Sequence, residues 1–162
     1  MFFSRNNWNC IPEKTKEDIQ SLLSEDEFVQ LTKMCRKYKV FPQMKNAVKD
    51  PLGMPIIPIS LRLMFFLTNV GNAVCSNNLD NKEIVEESTI FMKTALAIKP
   101  DHFPALFDLT YSYAVMGKKE EAKSQALKAL SAMENDDCQE HNKELRNILL
   151  KISKGNIDII YQ

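Results

Sequence analysis

Hydrophobic residues recur along this chain at helical spacing. Phe28, Leu31, Cys35 and Tyr38 follow one face of a helix. Leu63, Phe66, Leu67, Val70 and Val74 repeat as i, i+3, i+4, i+7, i+11, the pattern of a buried stripe. Ile84, Ser88, Phe91, Met92, Ala95 and Leu96 make a third inward face, and Leu106, Leu109, Thr110 and Tyr113 a fourth. Ala122, Ala126, Ala129, Leu130 and Met133 make a fifth; His141, Leu145, Ile148, Leu149 and Ile152 make a sixth.

Capping and breaking residues place the ends of these elements. Ser24 with Glu27 is a capping-box pattern and starts a helix that closes in the basic run Lys33, Arg36, Lys37, Lys39. Thr15 is expected to cap a shorter helix through Leu23, and Ser60 one reaching about Ser76. Helices are predicted over 82–98, 103–116, 118–133 and 138–154, with Pro104 in a first turn and Gly117 and Gly155 at ends. Residues 1–13 show no period, and Trp8 and the Phe2–Phe3 pair are their candidate anchors. Pro42, Pro51, Pro55 and Pro58, with Gly53, mark 41–58 as a linker or loop with room for a short helix around 43–49.

The expectation is therefore an all-α chain of about seven helices. It divides into an N-terminal helical segment, 1–40, a Pro-rich linker or loop, 41–58, a helical domain, 59–155, and a hydrophobic tail, 156–162. Composition fits this picture: 162 residues, 44% hydrophobic and 26% charged, suit one globular unit. Twenty-one basic residues balance twenty-one acidic ones, so there is no global pull towards nucleic acid or an anionic membrane. The apolar run 56–74 holds Pro58, Arg62, Asn69 and Asn72, which favours a buried core helix over a membrane span. Cys10, Cys35, Cys75 and Cys138 are widely spaced behind a start without a leader pattern, so reduced thiols in the cytoplasm are expected.

Sliding the chain on itself by 34 residues aligns Glu86 and Glu87 with Glu120 and Glu121, and Ser88 with Ala122. It also aligns Met92 with Ala126, Ala95 with Ala129, and Leu96 with Leu130. A 34-residue period with two helices per unit resembles the tetratricopeptide repeat family. Leu106, Leu109, Tyr113, Gly117, Ala122, Ala129 and Leu130 match that family's pattern, and Pro100 matches the proline closing the preceding unit. Thr110, Ala126 and Glu134 depart from it. The likeness covers 103–133 closely, extends over 64–102 with about five extra residues in the Asn77–Asn81 turn, and is absent before Phe41. The resemblance implies a helical-hairpin array with a degenerate N-terminal part and a C-terminal capping helix.

The resemblance also implies a function: a concave groove that holds a protein partner, as in an adaptor or chaperone. Size and repeat content give a further likeness to bacterial secretion chaperones. By the family pattern the groove-facing positions are Pro104, Phe107, Asp108, Tyr111 and Ala114, and, one unit earlier, Phe65, Thr68, Asn72 and Cys75. The expected partner-binding set is Phe65, Thr68, Asn72, Phe107, Asp108 and Tyr111. Relatives that clamp a C-terminal carboxylate carry Lys and Asn where this chain has Phe107 and Tyr111. The expected ligand is therefore an apolar or aromatic peptide segment, its backbone oriented by Asn72 and Asp108.

Catalytic motifs do not emerge from the sequence. There is no Gly-rich phosphate loop, no Gly-x-Ser-x-Gly and no His-Glu-x-x-His. His102 falls in a turn, where a capping or surface role is expected. Cys138 and His141 share one Cys-x-x-His spacing without a second pair, short of a zinc ligand set. The expectation is a non-enzyme without cofactor or metal, with two alternatives: nucleic-acid binding or enzyme-accessory use of the basic 33–49 region, and self-association through the Ile157–Tyr161 tail.

Overall fold

The structure, a computed structural model, describes residues 7–49, 58–135 and 142–158. They form a 3-10 turn, Trp8–Cys10, and eight α-helices, with no strand among the described residues. The helices are α1 (Glu13–Leu22), α2 (Glu25–Lys37), α3 (Phe41–Ala47), α4 (Ile59–Ser76), α5 (Lys82–Ile98), α6 (Phe103–Val115), α7 (Lys119–Glu134) and α8 (Lys143–Ser153). The all-α class read from the hydrophobic pattern is the class the chain adopts.

Local chemistry explains most of the boundaries. At α2 the Ser24 hydroxyl accepts from the Glu27 N–H at 3.2 Å, while the Glu27 carboxylate accepts from the Ser24 N–H at 2.8 Å. Thr15 and Ser60 do not cap. Pro12 and Pro58 occupy the N-cap positions, so both helices start earlier, and Thr15 is buried inside α1. Gly117 turns α6 into α7 at φ +77°, a left-handed conformation that costs a residue with a Cβ about 1 kcal/mol. His102 sits at the N-cap of α6 without bonding through its side chain. It is buried rather than on the surface, with the Phe65 ring edge-on at 5.3 Å.

The short helix expected around 43–49 in the Pro-rich stretch forms two residues earlier, over Phe41–Ala47. Pro42 lies in the first turn of α3, where its missing N–H does no harm. Phe41 and Met44 are fully buried, and burying a Phe side chain stabilises by about 2 kcal/mol. Residues 50–57 lie outside the described residues. Trp8 anchors the lead: its indole N–H donates to the Thr32 hydroxyl at 2.8 Å, and its ring stacks on Phe28 and meets Phe41 edge-on.

Helices α4 to α8 pack consecutively, each on the next, and α4 also touches α6 directly. Helix α5 is the centre, with α1 and α2 packed on it as well. It is consequently buried on several faces. Ile90 and Phe91 join the N-terminal core with Trp8, Ile19, Leu31 and Met34, while Met92 and Ala95 join Met64, Ala105 and Leu109. The 34-residue self-match pairs buried with buried: Ser88, Met92 and Ala95, and their counterparts Ala122, Ala126 and Ala129, are all fully inaccessible.

Among the described residues, α4 alone is long and apolar enough to cross a membrane by length and composition. Leu63, Met64, Leu67, Thr68, Gly71 and Cys75 of that helix are buried. Gly71 sets its approach to α5: a Cβ there would lie 3.0 Å from Met92 Cγ and 3.3 Å from Phe91 Cβ. Helix α8 closes the array, with Leu149 and Ile152 buried against the α6–α7 core and Ile157 packed beyond them. Its expected start at Cys138 lies outside the described residues, as do His141, Phe2, Phe3 and 159–162.

Candidate functional site

Helices α4 and α6 both pack on α5 and touch each other directly, which brings them side by side. Between them lies a cavity of about 220 Å³. Helix α4 and the turn after it contribute Asn72, Cys75, Ser76 and Leu79, and α6 contributes Phe107, Asp108 and Tyr111. Phe107 and Tyr111 are one turn apart and Asp108 lies about 100° round the helix from Phe107, so the three share one side of α6.

Each lining group is held differently. Phe107 is half-buried against the α6–α7 core, 6.1 Å from the Phe103 ring. Tyr111 is half-buried against Cys75, Val85 and Val115. Both rings therefore serve the core and wall the cavity. Ser76 is exposed, and its hydroxyl bonds back to the Asn72 carbonyl within its own helix. Leu79 is 40% exposed, an apolar residue in an otherwise polar turn.

Asp108 carries the charge of the cavity. Asn72 Nδ2 donates to its Oδ1 at 3.0 Å, tying α4 to α6. Burial pushes the Asp108 carboxyl up to about 6, with the Asn72 hydrogen bond pulling weakly the other way. Among the described residues no lysine, arginine or histidine forms an ion pair with it. Below, the Ser112 hydroxyl lies 2.9 Å from the Asp108 carbonyl oxygen and 3.4 Å from Cys75 Sγ. With one proton it donates to one of them at a time, and the carbonyl is the nearer and stronger acceptor. Burial raises the Cys75 thiol, which opposes thiolate formation.

Of the six residues expected to bind a partner, Asn72, Phe107, Asp108 and Tyr111 are brought together here. Phe65 is 50% exposed but lies a helical stretch away, against His102. Thr68 is buried, its hydroxyl donating to the Met64 carbonyl at 2.8 Å. Of the other groove-facing positions in the family pattern, Cys75 lines the cavity, Ala114 is buried in the core and Pro104 is exposed outside it. Ser76 and Leu79 lie outside the expected set; their one sequence signal is an apolar residue inside the Asn77–Asn81 turn.

Larger clefts lie away from this groove. One, about 550 Å³, runs between α2 and the α5–α7 side, with Asp26, Glu27, Glu86 and Glu121 on its walls. Its cations already have partners: Lys118 pairs with Glu86, and Lys93 lies over the Tyr113 ring. A shallower groove on α2 exposes Phe28 and Val29 beside Lys33 and Arg36. Among the described residues no group of three or more His, Cys, Asp or Glu is placed to hold a metal; Cys138 and His141 are not among them. Comparison with family models, with curated proteins and with solved structures finds no match to this chain.

Proposed function

We propose that this chain is a non-catalytic protein-interaction module, a tetratricopeptide-like array that holds a peptide segment in the groove between α4 and α6. The observation that carries the reading is the cavity itself. It is open to solvent, walled by two aromatic rings from one turn of α6, and bordered by apolar Leu79 and polar Asn72 and Ser76. Pockets with mostly apolar walls and a few convergent polar groups are the usual form of a binding site. A peptide backbone finds a donor in Asn72 and an acceptor in Asp108, and apolar side chains find Phe107, Tyr111 and Leu79. The low thiolate character of Cys75 favours binding over nucleophilic chemistry at this place. Adaptor or chaperone-like work fits the same reading.

Peptide display against the wild-type chain and Ser76→Trp tests it. Ser76 is exposed and bonds only to its own helix, so an indole there fills the groove without disturbing the core. Peptides retained by the wild type and lost from Ser76→Trp, with thermal unfolding unchanged, support the proposal. Peptides retained equally by both proteins, or none retained by either, would sink it.

A further inference from the structure

The lining of the α4–α6 cavity has an unbalanced charge. Asp108 is ionic and its neighbours on the wall are Asn72, Ser76, Leu79, Cys75 and two aromatic rings. The other titratable groups facing it, the Cys75 thiol and the Tyr111 phenol, are neutral or negative at every pH. Among the described residues no cation pairs with the carboxylate. Asn72 fixes one carboxylate oxygen at 3.0 Å and so orients the group across the gap between the helices. At about 220 Å³ the cavity is smaller than a typical small-molecule pocket, which runs to roughly 300–1,000 Å³, and suits one long side chain.

We propose that the groove recognises a lysine or arginine side chain set among apolar residues of the bound peptide. In this assignment Asp108 is the charge partner, Asn72 its positioning residue, and Phe107 and Tyr111 the walls. The inference rests on the groove reading above and adds the chemistry of the ligand to it. An ammonium or guanidinium group beside the Phe107 and Tyr111 rings and the carboxylate gains both cation–π and charge-assisted hydrogen bonding. Desolvation has already raised the Asp108 carboxyl, so an arriving cation relieves an existing penalty instead of creating one. An acidic ligand would meet like charge at half-buried depth, the opposite of a carboxylate clamp. The aliphatic stem of lysine or arginine lies along apolar surface while its charged end stays polar, which matches a wall of Leu79 and Phe107 leading to Asp108.

The test is a blocked dodecapeptide library, randomised at every position, selected on wild type, Ser76→Trp and Asp108→Asn. The expected result is enrichment of Lys or Arg next to apolar residues on wild type, and its loss on Ser76→Trp. On Asp108→Asn, apolar preferences should survive while the basic preference disappears. In calorimetric titration of a selected peptide, Lys→norleucine should weaken binding at least about tenfold on wild type and little on Asp108→Asn. Ser76-sensitive selection without basic residues overturns this inference and leaves the groove reading standing. Selection insensitive to Ser76→Trp overturns both. A wild-type dimer that Ser76→Trp dissociates would give the groove to a second copy of the chain and overturn the basic-peptide assignment.

Discussion

The Asn72 carboxamide donates to the Asp108 carboxylate at 3.0 Å, joining α4 to α6 across 36 positions of sequence. That bond only partly offsets the burial of the carboxylate, whose proton is held up to about 6 against an ordinary value of 3.8. Between those two values the native state binds more protons at this site than the unfolded chain does. Its contribution to stability is therefore fullest below about pH 4 and is lost as pH rises towards about 6. Asp108→Asn keeps an acceptor for Asn72 and removes the charge. It should be more stable than wild type at pH 7.5 by on the order of 1–2 kcal/mol, with the gain shrinking towards pH 4. Urea unfolding of both proteins at pH 4.5 and 7.5 checks this; a pH-independent difference would count against a strained carboxylate.

Ligand binding should run the other way with pH. If the groove holds a cation, it needs Asp108 ionised. With the proton held at about 6, the ionised fraction drops about tenfold between pH 7.5 and pH 5. Affinity for a lysine- or arginine-containing groove peptide should fall by about that factor, and Asp108→Asn should bind it weakly with a flat profile. Calorimetric titration over this range decides between this outcome and a purely apolar site, whose affinity would not follow the carboxylate.

How far the sequence reveals this arrangement depends on the range of the interaction. Ser24–Glu27 and Gly117 are legible because caps and turns are decided within a few residues. The α4 stripe is only partly so. Leu63 and Leu67 of the expected stripe are fully buried, but Phe66, Val70 and Val74 are half-buried, and Met64, Thr68, Gly71 and Cys75 are buried in their place. Helix α4 meets α5, α6 and α3, and a single-face pattern cannot express three neighbours. Thr68, a groove-facing position by the repeat-family pattern, faces the core instead. Thr89, Ile90 and Thr94 of α5 are buried for the same reason, with α1 and α2 packed on that helix from distant sequence. Asn72, Phe107, Asp108 and Tyr111 are expected together from the repeat-family pattern, which assigns faces to helix positions, and the cavity brings the four side by side.

Gly71 marks the closest approach of α4 to α5. The added methyl groups of Gly71→Val would fall on Met92 and on Phe91 Cβ, and Phe91 cannot retreat without moving its backbone. Overpacking of this kind costs about 1–3 kcal/mol, more than the gain from removing a helical glycine. The same shift would move α4 relative to α6 and distort the cavity. Chemical denaturation should show the loss; a neutral Gly71→Val would mean that the two helices can separate freely.

Helix α2 is tied to α5 by one carboxylate. Glu87 accepts from Lys37 Nζ and from the Tyr38 hydroxyl, each at 2.6 Å. Burial opposes ionisation of Glu87, but these bonds and the lysine charge win, and its carboxyl titrates below the usual range. The stabilisation it brings is present above about pH 4.5 and is lost as pH falls through the lowered value. Glu87→Ala should cost about 1 kcal/mol at pH 7. The cost should be smaller in 1 M salt, where the lysine component is screened. Comparing unfolding midpoints of the two proteins at low and high salt measures both parts.

The N-terminal helices should prove inseparable from the array. Trp8, Ile19, Leu31, Met34, Phe41 and Met44 form one cluster with Leu63 and Leu67 of α4 and Ile90 and Phe91 of α5. Removing residues 1–49 would uncover the two α4 leucines together with Phe91, all of them fully buried. At about 2 kcal/mol for each large side chain returned to water, the loss approaches the whole stability of an ordinary domain. The truncated chain should therefore unfold without a sharp transition, bind hydrophobic dyes and aggregate, whereas the full chain melts as one unit. A truncated chain that keeps a cooperative melt and still binds groove peptides would show instead that 59–155 folds alone and that the N-terminal helices are an addition to it.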